Sequence, residues 1–148
     1  MSPSLEYQHS ILGAITSISE DLNNVMEIID INISQGTIVK KDSAVIQYPA
    51  SKLMWSPLFQ SYGSGKKILA VASDKLKLYN YSSKDGIEFR TELQNVMLKD
   101  LCGPLTSFDW SPTKNLICCS SIDTTCSIFD INKEKFFKQL IAHDKEVE

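Results

Sequence analysis

The sequence predicts an all-β fold built from consecutive four-stranded antiparallel units. Two observations lead there. The tripeptide Trp-Ser-Pro occurs twice, in "KLMWSP" and "TSFDWSP", and each time an apolar run, a polar turn and a second apolar run follow. The apolar runs alternate or are continuous over 4–8 residues, with no sustained 3.6-residue spacing, which is the signature of strands and not of helices.

Laid over each other, the two copies pair "ILAVAS" with "LICCSS" and "KLKLYNY" with "TCSIFDI". The first copy carries a longer polar stretch, "LFQSYGSGKK", where the second has only "TKN", and such insertions belong in surface loops. Each copy then continues into "IEFRTEL" or "FFKQLIA", rich in aromatic and branched residues and suited to an outer fourth strand. Four short strands per unit is the make-up of a propeller blade. Before Tyr48-Pro49 the pattern runs as strand, Asn23-Asn24 turn, strand, Gly36 turn, strand, without a Trp-Ser-Pro strand in front. The expected architecture is thus a β-propeller segment of about three four-stranded antiparallel blades in a ring that is not closed. A partial first blade spans 1–50, a second 51–98 and a third 99–141, with the start of a fourth at 142–148. The chain reads as an N-terminal fragment on this pattern.

Composition bounds the function classes. With 148 residues, 43% hydrophobic and 22% charged, the chain has ordinary globular make-up. A net charge of -3 with scattered lysines argues against direct DNA or RNA binding. The stretch "ILGAITSI" has no basic flank and is far shorter than a membrane span, so neither a secretory leader nor a membrane segment is expected. Cys102, Cys118, Cys119 and Cys126 lie in or beside apolar runs without zinc-ligand spacing and read as reduced, buried small hydrophobes. A hairpin turning at Asp123-Thr124 would put Cys119 and Cys126 diagonally on one face, about 7–8 Å apart and too far for an unstrained disulfide.

"YGSGKK" at 62–67 superficially suggests a phosphate loop, but Gln60 and Lys67 stand where Gly and Ser or Thr are needed, and a strand follows instead of a helix. It reads as a basic loop that an acidic partner could contact. Lys66, Lys67, Lys99 and Asp100 are candidates for partner contact through loop exposure alone. Only His9 and His143 could serve as imidazole bases, and no spacing gathers a nucleophile, acid and base. Neither an enzyme nor a cofactor is expected.

The segment "LICCSSIDTTCSIFDI" resembles the second half of a WD repeat, with Ser121, Asp123, Thr125, Phe129 and Asp130 at the repeat positions and Phe129 in place of Trp. "AHDKEV" looks like the Gly-His opening of a following repeat, with His143 as its histidine. "YPASKLMW", "PLTSFDW", "SSIDTTCSIF" and "QLIAHDKEV" resemble stretches of the transparent-testa-glabra and anthocyanin-regulator proteins of plants, whose animal relatives are described as cullin-4-associated adaptor factors. The resemblance implies a seven-bladed, noncatalytic scaffold that holds transcription regulators or protein kinases together in cytoplasm and nucleus. Asn132 stands where cullin-4 adaptors often carry Arg, which speaks against ligase engagement through this blade.

The resemblance also implies a hydrogen-bonded set in each repeat, made of His, the turn Asp, a Ser or Thr and the Trp. Here the set lacks members, because Phe129 has no ring N–H and Pro104 lies near the place of the histidine. Trp55 and Trp110 are expected to open their strands and to pack between blades, each followed by a Pro that cannot donate to the ladder.

Overall fold

The computed structural model describes residues 10–20, 22–57, 66–97 and 103–141, which hold eleven strands and no helix. They fall into two compact units that part between Pro49 and Ala50. The first unit is one three-stranded sheet in the order β1(Ser10–Thr16), β2(Asn24–Asn32), β3(Thr37–Ile46). Gly36 turns the β2–β3 hairpin at φ +66°, a conformation that glycine adopts without a Cβ penalty. Met26 and Ile28 of the central strand are fully buried.

The second unit holds two four-stranded antiparallel sheets. One runs in the order β4(Lys52–Trp55), β5(Lys67–Ala72), β6(Leu76–Ser82), β7(Gly86–Leu93). The other runs β8(Leu105–Trp110), β9(Leu116–Ser121), β10(Thr125–Asp130), β11(Lys135–Ile141). Each is a meander, as the repeated pattern of runs and turns predicts. Trp55 and Trp110 close strands β4 and β8 instead of opening them. The physical reason is the Ser-Pro that follows each: the ladder ends where proline has no N–H to give.

One irregularity recurs in all three sheets. The pairing of the next-to-last strand of each sheet with its last strand slips by one residue between Ile28 and Ile29, between Leu78 and Tyr79, and between Ile128 and Phe129. These bulges lie 50 residues apart, at the same place in each repeat, and the extra residues are Lys41, Arg90 and Phe137 on the outer strands. A bulge bends its strand and adds twist, so a copy in every blade gives the sheets a common curvature.

The two sheets of the second unit share one core. The first sheet presents mainly aliphatic side chains, Ile68, Ala70, Ala72, Leu76 and Leu78, and the second covers them with Phe108, Trp110, Ile117, Cys119 and Phe129. Small residues on one side leave room for aromatic rings on the other, which is how facing surfaces reach interior packing density. Leu78 is fully buried in this core, so Leu78→Ala is expected to destabilise the second unit by about 2–5 kcal/mol. Phe89→Ala, on the exposed outer strand, should cost about 1.5 kcal/mol or less, chiefly the edge contact of its ring with Tyr79. Urea unfolding of the two variants checks the contrast.

Candidate functional site

Of the sequence-predicted repeat residues, Ser121, Asp123 and Thr125 meet at the β9–β10 hairpin, and Trp110 and Phe129 lie in the seam between the two sheets of the second unit. β9 and β10 are joined by three residues, Ile122, Asp123 and Thr124, with Thr124 at φ +74°. The turn is closed by the Thr124 N–H donating to the Ser121 carbonyl at 3.2 Å. A turn followed by a residue in the left-handed region is a frequent three-residue hairpin.

This turn corrects the expected cysteine geometry. Cys126 lies opposite Ser120 and Cys119 opposite Ser127, so Cys119 and Cys126 project from opposite faces. The diagonal pair on one face is Cys118 and Cys126. The reason is register: a three-residue connection in place of a two-residue one shifts the pairing by one and moves every side chain to the other face. Cys119 is buried with the core, and burial pushes its thiol well above the ordinary range. Cys118 is exposed, Cys126 is half-buried, and all three are free thiols. Cys102 lies outside the described residues.

Asp123 is the centre of the hairpin. Its Oδ1 accepts from the Thr125 N–H at 3.0 Å and from the Thr125 hydroxyl, and its Oδ2 accepts from the Gly103 N–H at 3.2 Å. Ser121 Oγ accepts from the Asp123 N–H at 3.4 Å and reaches the carbonyls of Gly103 and Pro104 at 3.1 and 3.2 Å. Burial alone would raise the Asp123 carboxyl, but the donors from Thr125, Gly103 and Ser121 together outweigh it and hold the group below its ordinary value. Where the resemblance implies a histidine, a backbone amide thus reaches the carboxylate. Ser121, Asp123 and Thr125 come together in one network.

Phe129 and Asp130 stand apart from that network. Phe129 is almost fully buried in the core with its ring edge-on to Phe136, and Asp130 Oδ1 accepts the Lys133 N–H in the β10–β11 turn. Trp110 donates its indole N–H to the Met54 carbonyl across the seam at 3.3 Å. Trp55 is half-buried against the edge of Tyr81, and its indole N–H finds no acceptor among the described residues. Lys67 sits over the Trp55 ring, and Lys66 pairs with Glu88 at 2.9 Å and Asp85 at 3.4 Å, so the basic pair is engaged within its own blade. His9, His143, Lys99, Asp100 and the 142–148 segment lie outside the described residues.

Three seam residues escaped the sequence reading. Gly103 packs so closely on the hairpin that an added Cβ would lie 2.6 Å from Ile122 Cγ2 and 3.3 Å from the Asp123 amide. Asn95, just past β7, donates to Ser127 Oγ at 3.0 Å and to Gln139 Oε1 at 2.7 Å and ties the connection between the sheets to β10 and β11. Arg90, the bulge residue of β7, pairs with Glu134 at 2.6 Å across the outer end of the seam. Gly103 carried a faint signal, since it precedes a proline. No group of three or more His, Cys, Asp and Glu capable of holding a metal occurs among the described residues.

No protein-family model matches the chain. Among curated proteins, it is 38% identical over 136 residues to the DDB1- and CUL4-associated factor 7 homolog of Dictyostelium discoideum, across 90% of this chain and 41% of that protein. It is 32% identical to an uncharacterized WD repeat-containing protein of Schizosaccharomyces pombe and 33% identical to a WD repeat-containing protein of Saccharomyces cerevisiae, covering 90% and 88% of this chain. The chain spans 33% and 28% of those two proteins. The structure aligns with crystalline Sqt1 of Saccharomyces cerevisiae over 95% of this chain and 37% of that one, with a TM-score of 0.67 at 13% identity. The fold is that of a WD-repeat propeller segment. The curated relatives support a WD-repeat family for this propeller segment.

Two outcomes test the hairpin. Gly103→Ala must displace Ile122 and should lower the thermal midpoint, whereas Gly13→Ala, whose nearest neighbour would be the Ile29 side chain at 3.4 Å, should be tolerated far better. The Asp123 network is lost in acid: because its folded carboxyl binds a proton less tightly than the unfolded one near ~3.9, its stabilisation is full above roughly pH 5. It declines as pH falls through the lowered folded value. A pH series of urea midpoints should show this slope, and Asp123→Asn should flatten it.

Proposed function

We propose that this WD-repeat segment serves as a noncatalytic scaffold whose loops and blade rims hold other proteins. The observation that carries the reading is its relatedness to WD-repeat proteins, one of them named for association with DDB1 and CUL4. A physical argument accompanies it. Meandering sheets locked by a shared core present turns of fixed geometry, and pre-ordered loops bind without a large entropy cost. The four sequence blocks that resemble the transparent-testa-glabra proteins favour transcription regulators or protein kinases as the partners, and cytoplasm and nucleus as the place of action. Asn132 argues against a cullin-4 ligase contact through the third blade, so DDB1 and CUL4 association stays with the relative that bears the name.

A second reading has its own observation. Cys118, Cys126, Ile128 and Leu140 share the face of the β8–β11 sheet that matches the buried face of the preceding sheet, where Ala70, Leu76 and Leu78 are fully covered. In the later sheet Cys118 is exposed and Leu140 is 41% exposed. A truncated product without independent activity would show this uncovered face as association.

One comparison separates the readings. Light scattering and urea unfolding of the 148-residue chain should give a monomer with a cooperative transition, and proximity labelling in cells should enrich a defined set of proteins that the seam-weakened Leu78→Ala variant loses. Soluble aggregates that bind apolar dyes, with no protein enriched over the variant, would instead establish the second reading.

A further inference from the structure

The first sheet lacks a strand that the other two possess. β1, β5 and β9 occupy the same place: Ala14, Ala70 and Cys118 pair with Ile28, Leu78 and Ile128, the residues just before the three bulges. On their other side β5 and β9 carry a further strand, β4 or β8, whereas β1 pairs with β2 alone among the described residues.

The backbone of β1 is arranged for such a strand. The Ser17 N–H donates to the Val25 carbonyl at 3.0 Å, and hydrogen-bonded pairs alternate along an antiparallel ladder, so Ile11, Gly13 and Ile15 bond to β2. Leu12, Ala14 and Thr16 therefore turn their N–H and C=O groups to the open edge. In the four-stranded sheets the residues matching Leu12 do bond across that edge: the Ile68 and Leu116 carbonyls accept from the Ser56 and Ser111 N–H groups at 2.8 and 2.9 Å. The β1 sequence, "SILGAIT", holds no charge and no proline, the devices that blunt natural edge strands.

Side chains define the occupant. At the places of Gly13 and Ile15, the four-stranded sheets set Trp55 and Leu53 opposite Leu69 and Val71, and Trp110 and Phe108 opposite Ile117 and Cys119. In β1 these places are open and apolar. Ile11 and Ile15 are 50% and 48% exposed, and a Cβ on Gly13 would meet only the Ile29 side chain among the described residues. Beside them Ile15, Thr16, Ser17, Val25 and Glu27 border an open groove of about 300 Å³. A second copy has no such strand to give, because its β4 and β8 are paired within their own sheets.

We propose that the β1 edge takes an extended segment of another protein as an added antiparallel strand, with a Trp opposite Gly13 and a Leu or Phe two residues earlier opposite Ile15. Main-chain bonds to Leu12, Ala14 and Thr16 supply affinity, and the two large side chains supply specificity. The inference rests on the scaffold reading for the partner's being a protein, and adds the mode of its capture.

A fluorescent peptide of residues 104–112, "PLTSFDWSP", offered to the 148-residue chain tests the edge. Saturable binding is expected, with hydrogen exchange at the Leu12 and Ala14 amides slowed by about tenfold or more. The Gly13 amide, already bonded to β2, should change little. The same peptide N-methylated at the Asp109 position, whose N–H would face Ala14, should not bind, and this comparison leaves the chain itself unaltered. No saturation below about 1 mM peptide would overturn the proposal. So would equal binding of the methylated peptide, slowed exchange at Leu116 and Cys118 in place of Leu12 and Ala14, or Leu12 and Ala14 amides already protected without peptide. None of these outcomes bears on the proximity labelling that tests the scaffold, so the two readings fail separately.

Discussion

The constraint on which the second unit depends is that a four-stranded sheet has two faces and cannot leave both wet. The β4–β7 sheet meets it by presenting Ala70, Ala72, Leu76 and Leu78 to the aromatic side chains Phe108, Trp110 and Phe129 of the next sheet. Each fully buried large apolar side chain contributes about 1.5–3 kcal/mol, so this seam outweighs any single polar contact. Polar clamps then fix its alignment. At the inner strands Ser51 Oγ donates to the Leu105 carbonyl at 2.8 Å, the Leu105 N–H donates to the Ser73 carbonyl at 2.8 Å, and Lys52 Nζ reaches the Phe108 carbonyl at 2.6 Å. Apolar burial is non-directional, and these bonds supply the register that it lacks.

Much of the fold was legible because strand order follows from run length and turns alone. The repeated Trp-Ser-Pro marks where the inner strand of two blades ends, which is a statement about proline and not about tryptophan. What period-2 reading could not supply was which side chains are covered. In β6, Leu76 and Leu78 on one face and Tyr79 and Tyr81 on the other are all buried, and no simple alternation yields that set. The same limit explains the cysteines. One residue more in the β9–β10 turn than the sequence suggests sends Cys119 into the core and leaves Cys126 on the opposite face.

The candidate site was legible in part for a related reason. Ser121, Asp123 and Thr125 were recognisable through the resemblance of their segment to a WD repeat, and they do meet in space. The group that completes the carboxylate's shell is a backbone N–H, which every non-proline residue possesses and no sequence pattern singles out. Gly103 can bring its amide to 3.2 Å of Asp123 because it has no Cβ to strike Ile122. Asn95 was invisible for a different reason: its partners Ser127 and Gln139 lie 32 and 44 residues away and come near only once the two sheets dock.

The same requirement that builds the seam bears on what the segment does. A sheet covered on both faces offers partners only its edges, turns and rims, and these are held rigid by the core beneath. In the β8–β11 sheet, the positions matching Ala70, Leu76 and Leu78 are Cys118, Cys126 and Ile128, a smaller and softer set. The sheet is therefore less apolar on this face than its predecessor, with Asp109 opposite Cys118 where Met54 lies opposite Ala70. A carboxylate among thiols raises the desolvation cost of covering the face, and any surface that covers it must offer that carboxylate a donor. Fold and recognition thus share one rule: apolar burial decides that a face is covered, and the polar groups on it decide by what.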